Sequence, residues 1–336
     1  MILKSKARVL YIDGKTIFAQ IGNCLCSSND NGETWQSYPV RLPEGARIFS
    51  KLYARLTRQG IHCLCVLKDR SLLLVVKGAF YKYDIASGNM ERSFSILRGS
   101  RPLYVCKSHD GNLFWGEYFR NPIRDEVYIY SSEDHARTWY IKYTFKKNSI
   151  RHVHGIFYDT YDNNFWITTG DEDQENAIWI TNNKFRTMEM ITGRKQQSRA
   201  LQLILTQDYV YYGTDTPYEM NHIRRINKRT GKVETLADLD GSVYWGCKVG
   251  GIIFFSTAVE PSKINRYRYA SLWCSQDGIN WIKIEKYKKD LWPMKYGQIG
   301  QIYLPQGENE TGYLFYTPIA TKYNLTLQKL RIDDLF

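Results

Sequence analysis

The chain has 336 residues, and its 46 Lys and Arg residues outnumber its 34 Asp and Glu residues, for a formal net charge of +12. Such an excess of positive charge favours anionic partners. The sequence contains no zinc-finger spacing, RNA-recognition signature or basic helix, so we predict no nucleic-acid partner. It also contains no apolar run of about 18 residues, so we predict no membrane span.

The N-terminal segment, residues 1–15, has no apolar stretch long enough for a secretory signal. We therefore expect a cytoplasmic protein, or an extracellular one if a signal segment has been removed. The seven cysteines show no C-x-x-C spacing typical of a metal site, and we expect buried thiols. The oligomeric state stays open.

The first 38 residues show the pattern that recurs along the chain. Apolar runs at 8–12, 16–20, 24–28 and 34–38 predict four strands separated by turn residues. The turn before the fourth strand reads Ser-Asn-Asp-Asn-Gly-Glu-Thr-Trp at 28–35. In such a turn the Asp accepts hydrogen bonds from backbone N–H groups, the Gly takes a positive φ, and the Trp packs back onto the hairpin.

The same turn phrase returns at 132–139, with Ala136 in the glycine position, and at 275–281 in a version one residue shorter. A fainter copy covers 181–188. Including two further glycine turns, the turn positions are 32, 88, 136, 185, 231 and 278, with gaps of 56, 48, 49, 46 and 47 residues. Repeats of this length with several short strands each predict a β-propeller.

The Ser-x-Asp-x-Gly-x-Thr-Trp phrase resembles the Asp-box, or bacterial neuraminidase repeat, of sialidase-type propellers. The resemblance implies an all-β fold, a single propeller domain over residues 1–336, and Asp-box turns on the rim, away from a central site. Sialidases also carry an Arg-Ile-Pro motif near the first blade. That motif is missing here, and the nearest string, Arg101-Pro102, lies in the third predicted blade. We therefore do not expect a sialidase.

Later segments continue the pattern of four-stranded blades. The predicted blades two to six cover residues 50–97, 101–144, 151–192, 199–237 and 242–286. After them, only three strands are visible, at 297–305, 311–318 and 325–332. Ring closure usually borrows a strand from the other terminus, so residues 2–6 are expected to complete the last blade. This predicts seven blades, with six as the alternative if the terminal strands only patch an irregular blade.

Four carboxylates end the second predicted strand of consecutive blades. They are Glu117, Asp171, Asp215 and Glu260, and the gaps between them are 54, 44 and 45 residues. Loops after the second strands open on the same face as the start of the innermost strands, and the Asp-box turns lie on the opposite face. We therefore predict that the four carboxylates ring one mouth of the channel and act as catalytic residues.

Basic and aromatic residues are predicted at the same mouth. His152 and His154 fall on one side of an innermost strand and are further catalytic candidates. A metal ion there is an open possibility, although no third ligand is visible by spacing; otherwise we expect no cofactor. The predicted substrate-binding residues are Arg101, Arg124, Arg151, Arg199, Tyr118, Tyr218 and Trp245.

This composition predicts a carbohydrate-active propeller that acts on an acidic oligosaccharide or polysaccharide. A glycosidase would use two of the carboxyl groups. A polysaccharide lyase would use a His or Tyr base and an Arg that neutralises a uronate carboxylate. Asp171 is expected to be the most sensitive residue, because Gly170 would free the backbone to turn its carboxylate toward the axis.

The alternative is a non-catalytic propeller that binds glycans or assists assembly. The strings His152-Val153-His154-Gly155 and Thr168-Thr169-Gly170-Asp171 resemble bacterial propellers associated with polysaccharide synthesis. A non-catalytic module would use the same basic and aromatic mouth without needing a carboxyl group of raised pKa, and the resemblance implies no particular reaction.

Overall fold

A computed structural model describes residues 2–48, 59–182, 184–294 and 298–336. Within these residues the chain is all-β, and its helical structure is short 3-10 turns, including those at Glu44–Ala46, Gln196–Ser198 and Ile332–Asp334. No helix in the described part of the chain has the length and apolar composition needed to cross a bilayer. The start of the predicted second blade, residues 50–58, lies outside the described residues.

The strands follow one another in sets of four. The N-terminal strands are β1 (Ile2–Ser5), β2 (Ala7–Gly14), β3 (Thr16–Ile21), β4 (Cys24–Ser28) and β5 (Gln36–Ser37). The next antiparallel sheet contains β6 (Cys63–Val66), β7 (Leu72–Val76), β8 (Ala79–Tyr83) and β9 (Met90–Ser95). The sheet after it contains β10 (Cys106–Lys107), β11 (Leu113–Gly116), β12 (Val127–Ser132) and β13 (Tyr140–Phe145).

Two more four-stranded antiparallel sheets lie in the middle of the chain. One contains β14 (His152–Asp159), β15 (Asn164–Gly170), β16 (Ala177–Thr181) and β17 (Glu189–Gly193). The other contains β18 (Ala200–Leu205), β19 (Tyr209–Thr214), β20 (Asn221–Asn227) and β21 (Val233–Leu239). In each sheet the strands pair in chain order, so every connection is a hairpin.

The C-terminal strands join the N-terminal ones in a single extended sheet. These strands are β22 (Val243–Val249), β23 (Ile252–Val259), β24 (Tyr269–Ser275), β25 (Ile282–Lys288), β26 (Gly300–Tyr303), β27 (Gln306–Asn309), β28 (Tyr313–Ile319) and β29 (Thr326–Arg331). Strand β1 pairs with β29, with Ser5 opposite Thr326. Strand β27 runs parallel to β2 and contacts β22, which links the two ends of the chain.

The hydrophobic core lies between neighbouring sheets. Phe80 of β8 packs on Trp115 of β11, with ring centroids 5.2 Å apart, and Trp115 is 1% exposed. Glycines bring the sheets close together: a Cβ on Gly116 would lie 2.4 Å from the side chain of Val153, a residue of the next sheet. Four-stranded antiparallel sheets packed in succession form a β-propeller, so the predicted all-β propeller fold is confirmed.

The repeated Ser-x-Asp turns are held together by the aspartate carboxylate. Asp30 accepts hydrogen bonds from the backbone N–H of Thr34 at 2.9 Å and from the hydroxyl of Ser28 at 2.7 Å. Hydrogen bonds from Thr34 and Ser28 lower the pKa of Asp30 to about 2. Positive φ angles occur at the glycine position of all three turns, at Gly32 (84°), Ala136 (63°) and Gly278 (70°).

We predict that Asp134→Ala lowers the free energy of unfolding by about 1 to 2 kcal/mol, because a charged acceptor is lost. That carboxylate accepts from the backbone N–H groups of Arg137 and Thr138 at 3.0 and 2.9 Å. Denaturant unfolding measures the change, and the exposed Asp208→Ala is the control. An unchanged unfolding midpoint in Asp134→Ala would contradict the prediction.

Candidate functional site

A cavity of about 390 Å³ opens where the inner strands of several sheets begin. The pairing register places these starts beside the ends of the second strands: His152 lies opposite Gly170, and Ala200 lies opposite Thr214. Residues just beyond the second strands therefore reach the same space as residues that open the inner strands. The lining includes Arg8, His62, Arg101, Tyr104, Tyr118, Asp171, Arg199, Asp215, Tyr244, Trp245, Glu260, Gln301 and Tyr303.

Arg199 connects two carboxylates of the cavity. Its Nε lies 3.1 Å from Oδ2 of Asp215, and its Nη2 lies 3.2 Å from Oδ1 of Asp171. The other carboxylate oxygen of Asp171 accepts a hydrogen bond from Nη1 of Arg151 at 2.9 Å. Contact with two guanidinium groups favours the ionised form of Asp171.

Asp215 differs from Asp171 because its carboxyl group is almost completely buried. Its side chain is 3% exposed. Burial raises the pKa of Asp215 to about 7; the charge of Arg199 opposes this rise, and the charges of Glu260 and Asp171 add to it. A carboxyl group with this pKa is present in both protonation states near neutral pH and is suited to donate or accept a proton.

His152 and His154 lie behind Asp171 with their rings turned toward it. Their Nε2 atoms are 3.1 Å apart, and they lie 3.4 and 3.3 Å from Oδ1 of Asp171, respectively. Each Nδ1 atom lies 3.1 Å from a backbone carbonyl oxygen, that of Phe119 for His152 and that of Ala200 for His154. Burial is the main cause that lowers the pKa of His154 to about 4, so this ring is neutral at neutral pH.

A cationic wall of the cavity contains Arg8 and Arg101 together with aromatic rings. The guanidinium group of Arg8 lies 4.8 Å from the centre of the Tyr303 ring and donates a hydrogen bond to the carbonyl of Ile61. Arg101 contacts Nδ1 of His62, so this ring nitrogen acts as an acceptor. Two guanidinium groups therefore face the same cavity as the carboxylates.

Tyrosine and tryptophan side chains complete the lining. The Tyr244 hydroxyl donates to Oε2 of Glu260 at 3.1 Å, and the Tyr104 hydroxyl donates to the carbonyl of Tyr244 at 2.9 Å. Trp245 donates through Nε1 to Oε1 of Gln301 at 2.7 Å. These bonds hold flat rings at the cavity surface, where they can contact an apolar face of a ligand.

Seven of the predicted site residues line the cavity. They are Arg101, Tyr118, Asp171, Arg199, Asp215, Trp245 and Glu260. Three others, Arg151, His152 and His154, lie behind Asp171 and contact its carboxylate. The register of the sheets therefore brings together most of the predicted mouth.

The remaining predicted residues lie elsewhere. Glu117 is buried against Arg98, with Oε1 2.9 Å from Nε, and accepts a hydrogen bond from the backbone N–H of Tyr128 at 2.9 Å. Arg124 forms an ion pair with Glu175. Tyr218 is 61% exposed and is not part of the cavity lining.

Gly170 acts through its small size. The expectation that it gives the backbone freedom to turn is wrong, because Gly170 is not among the glycines with positive φ. A Cβ at this position would lie 2.2 Å from Oδ1 of Asn176 and 3.0 Å from Cε1 of His154. The absence of a side chain therefore lets His154 and Asn176 approach the strand that leads to Asp171.

Sequence reasoning missed several residues of the cavity. They are Arg8, His62, Tyr104, Tyr244, Gln301 and Tyr303. A usable signal existed for Arg8, His62 and Tyr244, since each lies at or just before the start of an inner strand, as Arg199 does. Tyr303 occurs in an apolar run that looks like an ordinary core strand, so the sequence pattern carries no such signal for it.

No protein-family model matches the chain, and no curated protein matches its sequence. Solved structures are similar in fold. An oligogalacturonate lyase in complex with manganese has a TM-score of 0.63 at 9% identity, covering 98% of this chain and 91% of that one. A chain of the mitotic checkpoint complex has a TM-score of 0.57 at 10% identity, covering 96% and 90%.

A chain of the nidogen/laminin complex has a TM-score of 0.54 at 11% identity, covering 88% of this chain and 97% of that one. At these identities the likeness concerns the fold alone. The structural neighbours are β-propeller-like proteins, in agreement with the sheet arrangement described above.

We predict that Glu117→Gln destabilises the protein by about 2 kcal/mol, because a buried amide cannot accept both hydrogen bonds that Arg98 donates to the two carboxylate oxygens. Ligand binding in the cavity should stay unchanged, since Glu117 is not part of the lining. Thermal and denaturant unfolding measure the first effect. Glu126→Gln, at an exposed neighbouring position, should change stability by less than about 0.5 kcal/mol. Equal stabilities of the two variants would contradict this role for Glu117.

The raised pKa of Asp215 predicts a pH-dependent stability. An aspartate has a pKa of about 3.9 in the unfolded chain, and the folded value is about 7. The protonated form is thus favoured in the folded state, and this contribution is complete below about pH 4 and disappears as the pH rises to about 7. Denaturant unfolding between these pH values should show a decline in wild type that is absent in Asp215→Asn. Identical slopes in both proteins would contradict the assignment.

Proposed function

We propose that the cavity binds an acidic oligosaccharide and cleaves one of its glycosidic bonds. The observation that carries this proposal is the presence, within one cavity, of the Arg8 and Arg101 guanidinium groups and of a carboxyl group with a pKa near neutrality. The cavity volume of about 390 Å³ lies in the range of about 300 to 1,000 Å³ that is usual for ligand pockets.

Recognition would begin at the cationic wall. Arg8 and Arg101 would pair with a carboxylate of the sugar, and Trp245 would contact the apolar face of a sugar ring. A carboxylate would be repelled by Asp171 and Glu260, which line other parts of the cavity. The ligand would therefore bind in one orientation, with its glycosidic bond toward the carboxyl groups.

Asp215 would donate a proton to the oxygen of the leaving sugar. This step is common to hydrolysis and to β-elimination, and general acid catalysis of this kind contributes about 10² to 10⁴-fold to the rate. The Tyr244 hydroxyl, hydrogen bonded to Glu260 at 3.1 Å, is the second group available. Because burial raises the pKa of Tyr244, its hydroxyl proton would have to pass to Glu260 as the oxygen reacts. In hydrolysis the Tyr244 oxygen would attack the anomeric carbon, and water would later release the sugar; in elimination it would take the proton next to a uronate carboxylate.

The number of blades and the type of the repeated turns are also part of our proposal. We propose seven blades: the four separate sheets, the sets β2–β5 and β22–β25, and a last blade of β26, β28, β29 and β1. The pairing of β1 with β29 supports this division. The Asp30, Asp134 and Asp277 turns would then be Asp-box turns on the rim.

A non-catalytic glycan-binding module is the second candidate. It is favoured by the ion pairs that engage three of the four predicted carboxylates: Glu117 contacts Arg98, and Arg199 contacts both Asp171 and Asp215. Carboxylates in such ion pairs can stabilise the structure without taking part in a reaction. This candidate requires the cationic and aromatic walls but no turnover.

The first test of the proposal uses oligogalacturonates and other uronate-containing oligosaccharides. Wild-type protein should release cleaved products, and Asp215→Asn should lower kcat by about 10² to 10⁴-fold while changing binding only a few-fold. An unsaturated uronate in the products identifies elimination, and its absence identifies hydrolysis. Binding without turnover by wild type would favour the second candidate, and absence of binding would contradict both.

A second prediction concerns the cationic wall. Arg101→Gln should weaken binding of an acidic oligosaccharide by about tenfold, and wild-type binding should weaken as salt rises because ionic contacts are screened. Lys15→Gln, which makes the same charge change in the exposed turn between β2 and β3, is the control. Calorimetric titration at two salt concentrations measures both effects. Equal losses in the two variants would mean that net charge alone controls binding.

A further inference from the structure

Three hydrogen-bond acceptors meet behind the cavity wall. The Nε2 atoms of His152 and His154 and Oδ1 of Asp171 are separated from one another by 3.1, 3.3 and 3.4 Å. Within residues 2–48, 59–182, 184–294 and 298–336, this is the one group of three His, Cys, Asp or Glu side chains arranged closely enough to share an ion.

The backbone determines which nitrogen of each histidine carries the proton. The carbonyl oxygens of Phe119 and Ala200 lie 3.1 Å from the Nδ1 atoms of His152 and His154, so both Nδ1 atoms donate hydrogen bonds. In a neutral imidazole the other nitrogen then carries a lone pair. Two lone pairs and a carboxylate oxygen therefore point at one another, an arrangement that needs a positive charge between them.

The separations match those of ligands around a metal ion. Two ligand atoms at about 2.1 Å from a metal are about 3.0 Å apart at a right angle and about 3.4 Å apart at the tetrahedral angle. The three observed separations, 3.1, 3.3 and 3.4 Å, lie in this range. Metal-binding histidines also commonly donate their second N–H to a carbonyl oxygen, as both do here.

We infer that His152, His154 and Asp171 bind a divalent transition-metal ion through the two Nε2 atoms and Oδ1. Two imidazoles and one carboxylate, without a thiolate, suit Mn²⁺, Fe²⁺ or Zn²⁺. Both histidines are buried, whereas Asp171 lines the cavity. The remaining coordination positions therefore face the cavity, where they are available to water or to an oxygen atom of a ligand.

Two arginines orient the carboxylate. Arg151 donates to Oδ2 of Asp171 at 2.9 Å, and Arg199 approaches Oδ1 at 3.2 Å. The contact on Oδ2 leaves Oδ1 directed toward the histidines and Arg199, so a metal ion would share Oδ1 with the Arg199 guanidinium group. The inferred metal site lies in the wall of the proposed carbohydrate site, but its occupancy does not depend on a carbohydrate ligand.

The experiment begins with protein stripped by a chelator and titrated with Mn²⁺ or Zn²⁺ in the absence of any sugar. Wild type should bind one ion per chain by calorimetry and elemental analysis, and its thermal midpoint should rise with metal concentration. His152→Gln and Asp171→Asn should weaken binding by about 100-fold or more and abolish the thermal shift. Titration with Co²⁺ adds a visible spectrum that reports the ligand set directly.

The matched control is His222→Gln. His222 forms another His–Asp contact, 3.0 Å from Asp238, on a different strand. This variant should bind metal like wild type. Circular dichroism of each variant verifies folding, and His154→Gln provides a further test at the most buried ligand.

Two results would overturn the inference: wild-type protein that binds no more metal than His152→Gln, or binding that is equally lost in His222→Gln. In that case the positive charge between the rings is a proton, and NMR titration of the imidazoles would detect it. Failure of the metal test would leave the Asp215→Asn turnover test unaffected, because metal binding is measured without substrate. The two proposals can therefore fail separately.

Discussion

The cavity depends on the position of Arg199. Its guanidinium group contacts Asp215 in its own sheet and Asp171 in the preceding one, at 3.1 and 3.2 Å. Without this cation, two carboxyl groups would face each other in a space of low polarity, where like charges strongly disfavour ionisation. With it, one carboxylate is ionised, and the other has a pKa near neutrality. Asp171 is the ionised one because it is less buried and has further polar contacts with Arg151, His152 and His154, whereas Asp215 is almost completely buried.

The same arrangement explains how a repeated fold produces an asymmetric site. Equivalent positions in consecutive sheets hold Glu117, Asp171, Asp215 and Glu260, yet each carboxylate has different partners. Glu117 is neutralised by Arg98 outside the cavity lining, whereas Glu260 accepts a hydrogen bond from Tyr244 inside it. The register of the strands sets the position of each carboxylate, and the neighbouring side chains set its chemistry.

Much of the fold could be predicted from the sequence, because turn chemistry and strand periodicity are local. The Ser28–Trp35 phrase and its copies indicated the repeat, and the paired ends of second and inner strands followed from it. The predictions for Asp171, Asp215 and Arg199 depended on this register alone, and these residues do meet in the cavity.

The partners of each residue were not predictable in the same way. Glu117 contacts Arg98, which precedes it by 19 positions, and no local sequence pattern predicts that pairing. Asp171 completes the cluster with His152 and His154 although it follows another strand, β15. Spacing along the chain therefore could not identify it as the third ligand of the inferred metal site. Contacts between strands depend on which side chain turns inward, and this is decided by packing.

The two walls of the cavity also link ligand charge to proton binding. An anion held by Arg8 and Arg101 would add negative charge near Asp215 and raise the pKa of that carboxyl further. Since linkage is reciprocal, protonation of Asp215 would favour anion binding by the same free energy. The proton on Asp215 that would favour binding of an acidic ligand is thus the same proton that Asp215 would donate to the leaving sugar in the proposed reaction. Burial of Asp215 serves recognition and chemistry through one property, the protonation of its carboxyl group.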